Sequence, residues 1–361
     1  DLALIQYTGG TTGRPKGVML SHFNLVANVY QDYMFTVKDL KLQTPGERVL
    51  GLTPLFHVFG NTRLNSAIFA GATYITIGKF EIHKVVDLIR QYQPTIFPGV
   101  PTMYIALLNY PGLTAEGLKC FKYCSCGSAP LPVEVIHQFE HKFGVQIAEG
   151  FGMSETSPTT HRNPVVGQRK PGSIGIPYPS TDAKIVDMED GIKELPPGHA
   201  GELIINGPQV MKGYWKNPEE TSKALRDGWY YTGDIAVMDE EGYFYITGRK
   251  KDLIISGGFN IYPVEVENVI YQHPGVEEAC VYGIPDAYRG ETVKAAIVLK
   301  KEMQHVGEQE IIDWCKERIA SYKVPRLINF TEHLPKSTVG KVLRRKLVEE
   351  DAETAQEHLE I

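Results

Sequence analysis

The chain has 361 residues, 42% of them apolar and 22% charged, with a formal net charge of −6. That composition is ordinary for a globular protein, and the length can hold two or three domains with sizeable cores. The acidic balance gives no basic footprint for nucleic acid, and no run of eighteen apolar residues is present to span a bilayer.

The first residue is Asp1, and LALIQYT (residues 2–8) reads as an apolar strand running straight into a glycine loop. A strand at the start of a chain needs neighbours, so an N-terminal segment is expected to be missing. The loop, TGGTTGRPKG (residues 8–17), holds four glycines and three threonines beside Lys16. Glycines let backbone N–H groups approach an anion, threonine hydroxyls add donors, and the lysine adds charge. The pattern departs from the G-x-x-x-x-G-K-[ST] phosphate loop, because Pro15 precedes Lys16 and Gly17 follows it. Taken alone, these residues fit a phosphate cradle or a polar hairpin loop equally. Ser21 and His22 then open a helix, where the histidine reads as structural.

Residues 1–170 alternate strands and helices. IHKVVDLIRQY spaces Ile82, Val85, Val86 and Ile89 as one helical face. PTIFPGV (94–100) and FKYCSCG (121–127) read as buried strands. Pro132 opens a helix with Ile136, Phe139 and Phe143 on one side, and VQIAEGFG (145–152) returns as a strand. This alternation predicts a mostly parallel sheet covered by helices. Residues 171–247 change character. DAKIVD, GELIING and GYFYITG are short strand runs between Gly, Pro and Asp turns, which predicts a β-rich subdomain. From 252 to 361 strands and helices mix again, with EEACVYGIP and KAAIVLKK as strands and 308–320 as a helix. The cluster Arg249-Lys250-Lys251-Asp252 reads as an exposed linker between the two parts. The fold class is therefore α/β: a large domain over 1–250 and a small α+β domain over 252–361, with a hinge near Lys251. The five cysteines are odd in number and three crowd into one segment, so reduced thiols fit better than a disulfide framework.

Six polar or small-residue turns recur beside the strand candidates: the opening loop, GSAPL (127–131), GFGMSET (150–156), YTGD (231–234), GRKKD (248–252) and LPKSTVGK (334–341). In this order they resemble the adenylate-forming superfamily, which holds acyl-CoA synthetases, luciferase-like enzymes and the adenylation domains of peptide synthetases. The resemblance runs from end to end of the chain, although the large segment that precedes the glycine loop in that family is absent here.

The resemblance implies roles residue by residue. Thr8, Thr11 and Thr12, with Lys16 nearby, match hydroxyls that hold the β- and γ-phosphates of ATP. Gly127, Ser128, Ala129 and Pro130 match the segment along the adenine, and Phe151 an aromatic stacking near it. Ser154 stands where a phosphate-contacting threonine is usual. Glu155 matches a Mg²⁺ carboxylate, a hard oxygen ligand suited to that ion. Asp234 and Arg249 match the ribose contacts, and Lys341 the lysine that reaches both the substrate carboxylate and the α-phosphate. Lys251 matches a hinge residue, and Gly257 and Gly258 the wall of a pantetheine tunnel for coenzyme A.

The same resemblance addresses the acid. PLFHVFG (54–60) matches a segment lining the acyl pocket, with Phe56, His57 and Phe59 where amino-acid-activating relatives carry an aspartate. An amino-acid substrate is thereby disfavoured. Gly152 leaves open a pocket that a tryptophan shortens in acetate-activating relatives. Gly99 and Val100, followed by Pro101 and Thr102, resemble the pocket wall of medium- and long-chain fatty acyl-CoA synthetases. The expected activity is fatty acid–CoA ligation through an acyl-adenylate, with ATP, Mg²⁺ and coenzyme A. Two alternatives stay open: an aryl-acid or luciferase-like ligase, and an inactive nucleotide-binding fragment. The expected setting is the cytoplasm, with peripheral membrane association and a homodimer left open.

Overall fold

In the computed structural model, residues 1–8, 15–37, 46–337 and 340–357 are described. They form two compact units, Asp1–Thr232 with Ala236–Ile246, and Gly233–Ile235 with Thr247–Ile361.

The larger unit begins with an antiparallel pair, Leu2–Thr8 and Lys16–Ser21, in which Thr8 stands opposite Lys16. Ser21 caps the helix His22–Asp32. Its hydroxyl accepts from the Asn24 N–H, while the Asn24 side chain accepts from the Ser21 backbone, so two orphan donors are satisfied at once. A seven-stranded sheet follows, in the order Thr73–Ile75, Arg48–Leu50, Ile96–Gly99, Tyr123–Cys126, Ile147–Gly152, Thr159–Arg162, Ile176–Pro177. The first five strands are parallel, and the last two joins are antiparallel.

The parallel part is covered as its periodicity predicts. Helix Ile82–Tyr92 presents Val85, Val86 and Ile89 to the core, and helix Val133–Phe143 presents Ile136, Phe139 and Phe143. Pro132 is the N-cap of that second helix rather than its first residue, and Gly144 ends it at φ +68°. Pro101 occupies the first turn of helix Pro101–Leu108, where its missing N–H leaves no bond unmade. The β-rich stretch is a second sheet in which Asp182–Val186, Gly201–Asn206, Trp229–Met238 and Leu225–Arg226 are successive neighbours. Phe244–Arg249 pairs with the long third strand.

The smaller unit is built on one sheet of five strands. Its two long members, Val276–Asp286 and Gly290–Leu299, alternate between two faces beyond an irregularity at Val276/Glu278. Ala279, Val281, Val293, Ala295 and Ile297 join the helices Pro263–Tyr271 and Glu308–Lys316 on one face. Cys280, Tyr282, Ala296 and Val298 meet Leu334 and Leu347 on the other. The predicted helix over 308–320 ends at Lys316, because the chain turns before Ser321–Lys323. The first long strand exceeds the predicted run by one residue at each end, and the second begins four residues earlier and ends two residues sooner than predicted.

Candidate active site

Open α/β sheets bind ligands beyond the carboxyl ends of their strands, and the candidates of the larger unit gather at such ends. Lys16 is ion-paired to Glu220, and its ammonium lies 4.9 Å from the centre of the Tyr214 ring. Tyr214 in turn donates to Glu155 Oε1 at 2.9 Å. The segment that carries this tyrosine is held in place by its backbone: Lys212 N–H bonds to Met19 O, Trp215 N–H to Gly17 O and Met211 N–H to Glu155 O. One aromatic side chain thus ties the loop lysine to the candidate metal carboxylate, which sit 139 positions apart in the sequence. Burial pushes the Tyr214 phenol up, and the Glu155 charge adds to that. The phenol therefore stays a donor at any working pH. Thr11 and Thr12 lie outside the described residues.

Glu155 belongs to a single 3₁₀ turn, Ser154–Thr156, after the strand Ile147–Gly152. A Cβ on Gly152 would stand 2.1 Å from Pro158 O, so the close passage of that backbone already requires glycine there. This is a local reason for Gly152 beside the open pocket expected from the sequence. Phe151 is half-buried, edge-on to the ring of His161 at 6.3 Å. In the segment Gly127–Pro130, Ser128 adopts φ +71°, and its buried Oγ has no hydrogen-bond partner among the described residues. An uncommon backbone conformation with an unmet hydroxyl is a feature of ligand-binding turns.

The acid-pocket candidates converge on the same edge. His57 is the N-cap of helix Val58–Phe69, with Nδ1 accepting from the Phe59 N–H at 3.3 Å. The proton of the neutral ring therefore stands on Nε2. Gly127 lies close enough to Phe59 that an added Cβ would be 3.6 Å from the ring, and its N–H bonds to Gly99 O. Gly99 and Val100 are fully buried, and Gly99 leaves room for Tyr104. Phe56 behaves differently: its side chain is 67% exposed, and its carbonyl accepts from Gln6.

In the smaller unit the structure brings three predicted residues together. Asp234 is buried and accepts from Arg249 Nε at 2.9 Å. Burial raises its carboxyl above the ordinary range, against the pull of Arg249 and Lys341. Burial lowers Lys341 to about 8, with Arg249 adding to the fall and Asp234 opposing it. The lysine is held by a turn in which Ser337 N–H bonds to Lys341 O and Lys341 N–H to Ser337 Oγ. The cluster expected to be an exposed linker is thus partly engaged. Arg249 is paired, and Asp252, at the end of the turn Lys250–Asp252, accepts from Arg344 at 3.0 Å. Lys251 lies in that turn. Gly257 and Gly258, at φ +59° and +82°, form the two-residue turn of a hairpin between Ile254–Ser256 and Phe259–Ile261. Both angles require glycine or a close substitute, whereas no atom lies within 4 Å of an added Cβ.

The sequence reading missed one group entirely. Asp32 is buried, with both oxygens bonded to Arg63 Nη1 at 2.9 and 3.0 Å, and Oδ1 to Arg162 Nη1 and the Tyr178 hydroxyl, each at 2.8 Å. Burial alone would raise its carboxyl, but the two guanidiniums and the phenol hold it well below the usual range. The partners stand 31, 130 and 146 residues away, so no local pattern signals them.

Comparison with known proteins identifies the family. A family model described as AMP-binding enzyme matches residues 1–215, and one described as AMP-binding enzyme C-terminal domain matches 265–341. A long-chain-fatty-acid–CoA ligase of Bacillus subtilis (strain 168) is 51% identical over 356 residues, 98% of this chain and 62% of the relative. A feruloyl-CoA synthase of Amycolatopsis sp is 40% identical, over 95% of this chain and 69% of its own length. The crystal structure of ATP-bound MatB from Rhodopseudomonas palustris is similar with a TM-score of 0.90 at 39% identity, covering 97% of this chain and 68% of that one.

Proposed function

The chain belongs to the AMP-binding enzyme family, and from that premise we propose that it acts in joining a fatty acid to coenzyme A through an acyl-adenylate. The observation that carries this reading is the cluster of buried Asp234 with the partly buried Arg249 and Lys341. A carboxylate oxygen must attack the α-phosphorus of ATP while the bond to pyrophosphate breaks. Both reactants are anions, so a fixed cation between them lowers the barrier. With its pKa near 8, Lys341 is mostly protonated at neutral pH, yet loosely enough held to favour an incoming anion. Asp234, a carboxylate that burial raises above the ordinary range, is suited to accept from the two ribose hydroxyls, with Arg249 beside it.

In the larger unit, Thr8 and Ser154 offer hydroxyls, and Lys16 a charge, to the phosphates. The Glu155 carboxylate suits Mg²⁺, an ion commonly held by one or two protein carboxylates together with substrate phosphates. When bound, the ion would offset phosphate charge. His57, with its Nε2 proton, can donate to an oxygen of the acid. In the second step a coenzyme A thiol attacks the activated carbonyl carbon, and AMP leaves with the electron pair of the mixed-anhydride bond. No protein nucleophile is needed. Lys251 would act as the hinge and the Gly257–Gly258 turn as the wall along which the thiol arrives.

The test is acid-dependent exchange of pyrophosphate into ATP by the full-length protein, over a panel of aliphatic and aromatic acids. Exchange with aliphatic acids supports the reading, and none with any acid overturns it. A second reading, an aryl acid as substrate, draws support from the feruloyl-CoA synthase relative. It predicts that aromatic acids lead the panel.

A further inference from the structure

Lys16 opens the strand that follows the glycine loop, and its counter-ion comes from far along the chain. Glu220, in the seven-residue helix Pro218–Ala224, accepts from its ammonium across 204 positions of sequence. The two side chains are 25% and 32% exposed, so water competes for both. Nothing in the sequence reading assigned Glu220 a part.

The meeting of the two is built into the backbone. Asn217 caps the helix by accepting from the Glu220 N–H at 3.1 Å, and Pro218 fills the first turn. Thr221 Oγ1 accepts from the Tyr214 N–H at 2.9 Å and donates to Asn217 O at 2.8 Å. Gly213 passes so close that an added Cβ would stand 2.6 Å from Thr221 Cγ2. On the other side, Trp215 N–H bonds to Gly17 O at 2.7 Å. Residues 213–215 thus join the helix that carries Glu220 to the strand that carries Lys16.

The charges on the helix balance without Lys16. Lys223 reaches Glu219 at 2.8 Å and Glu220 at 3.0 Å. Lys16 and Lys223 together hold the Glu220 carboxyl below the ordinary carboxylate range. If the Lys16 ammonium turns away, Glu220 keeps Lys223 and no charge is stranded. Partly exposed pairs of this kind are weak, so the exchange is cheap. A lysine suits it, being a point charge on a flexible stem with three rotatable donors. The ammonium also lies 4.9 Å from the centre of the Tyr214 ring, whose hydroxyl donates to Glu155. Phosphates gathered at Glu155 are therefore one tyrosine away from it.

We propose that Glu220 is a positioning residue that acts through Lys16. It competes with the phosphates of the substrate for the ammonium, and takes the ammonium back when pyrophosphate leaves. The proposal rests on the reading of Lys16 as a phosphate contact, and it names the group that tunes that contact. Its sign is distinctive. Loss of Glu220 tightens the binding of triphosphate and pyrophosphate, whereas loss of a merely structural side chain would loosen it. Glu219 separates this effect from a general repulsion of anions, because it carries the same charge in the same turn and its ion pair is with Lys223.

The experiment titrates inorganic pyrophosphate and ATP, each with Mg²⁺, into the full-length protein by calorimetry. Acid-dependent pyrophosphate exchange is followed alongside. Wild type is compared with Glu220→Gln, Glu219→Gln, Lys16→Gln and the double substitution at 16 and 220. Glu220→Gln is expected to bind both ligands about two- to fivefold tighter, with KM for ATP in exchange falling by a similar factor. Glu219→Gln should leave both affinities as they are, because its charge is screened. Lys16→Gln should weaken both, and in that background Glu220→Gln should add nothing. Unchanged or weaker binding in Glu220→Gln overturns the proposal, and so does an equal gain with Lys16 present or absent. If Lys16→Gln binds as the wild type does while exchange persists, Lys16 is no phosphate contact. The proposal then falls and the acid-activating reading stands. Absence of exchange with every acid, in a protein whose pyrophosphate binding follows the expected pattern, would sink that reading and leave the proposal in place.

Discussion

Each of the two units buries one carboxylate beside two cations, and the outcomes are opposite. Asp32 and Asp234 are equally buried, with side chains 5% exposed in both cases. Yet Asp32 is held far below the ordinary carboxylate range, and Asp234 is raised above it. Burial therefore does not decide the sign. What differs is the charge set around the carboxylate: two guanidiniums are bonded to Asp32, whereas Asp252 adds a like charge near Asp234. Asp32 takes Arg63 on both oxygens together with Arg162 and Tyr178. At Asp234 the bond from Arg249 and the field of Lys341 do not overcome desolvation. A carboxylate satisfied from within is a clamp. One that burial raises, beside a lysine lowered to about 8, is disposed to act on a ligand.

The largest effect is expected from breaking the clamp. Asp32→Ala leaves two buried guanidiniums without their carboxylate, a change that costs about 3–5 kcal/mol. It should appear in urea denaturation as an early transition of the larger unit. A loss below about 1 kcal/mol would mean that the cluster is an exposed-type pair in disguise.

Removing Lys341 should act on chemistry and not on stability. Lys341→Ala is expected to lower adenylation by about 3–4 kcal/mol of transition-state stabilisation, roughly a hundred- to a thousandfold. A supplied acyl-adenylate should still reach the thioester at a near-normal rate. Because the charged form is the active one and its pKa lies near 8, kcat/KM for adenylation should fall as pH rises through that value. Lys341→Arg, which cannot deprotonate, should abolish that limb whatever it does to the rate. A flat profile in the wild type would remove Lys341 from this role.

The contrast also explains how much could be read beforehand. Helix Ile82–Tyr92 was legible because Val85, Val86 and Ile89 repeat locally, and the strands Tyr123–Cys126 and Ile147–Gly152 because buried parallel strands form short apolar runs. Asp234 lies within the strand Trp229–Met238 and Arg249 ends the strand Phe244–Arg249, although the motifs that carry them read as turns; each residue could still be singled out, as could Lys341, but their meeting could not. The Asp32 clamp left no trace. Its members lie inside a helix, a second helix and two strand ends, and only the tertiary fold joins them. His57 shows an intermediate case: it was singled out for the pocket, but its capping of a helix depends on where that helix starts. Gly257 and Gly258 were singled out for ligand approach, and the hairpin turn supplies a conformational reason that the residues alone did not disclose.

The smallest expected effect sharpens the comparison most, because it removes a single donor and no charge. Tyr178 is fully buried, and its hydroxyl donates to Asp32 Oδ1 at 2.8 Å. Tyr178→Phe keeps the ring, its packing against Phe35 and its place beside the Arg162 guanidinium. Only the O–H is lost. A hydrogen bond to a charged group contributes about 1.5–3 kcal/mol, and the lower end is expected here because Arg63 and Arg162 remain on the carboxylate. The pH dependence separates this bond from mere packing. Asp32 has a depressed pKa in the folded state, so the stability it contributes is present above the ordinary aspartate value of about 3.9 and is lost as pH falls below it. The gap between wild type and Tyr178→Phe should therefore be constant from neutral pH down to about 4 and narrow in stronger acid. A gap that does not narrow in stronger acid would assign the loss to packing. The Tyr178 hydroxyl would then have no part in holding Asp32 below the ordinary carboxylate range.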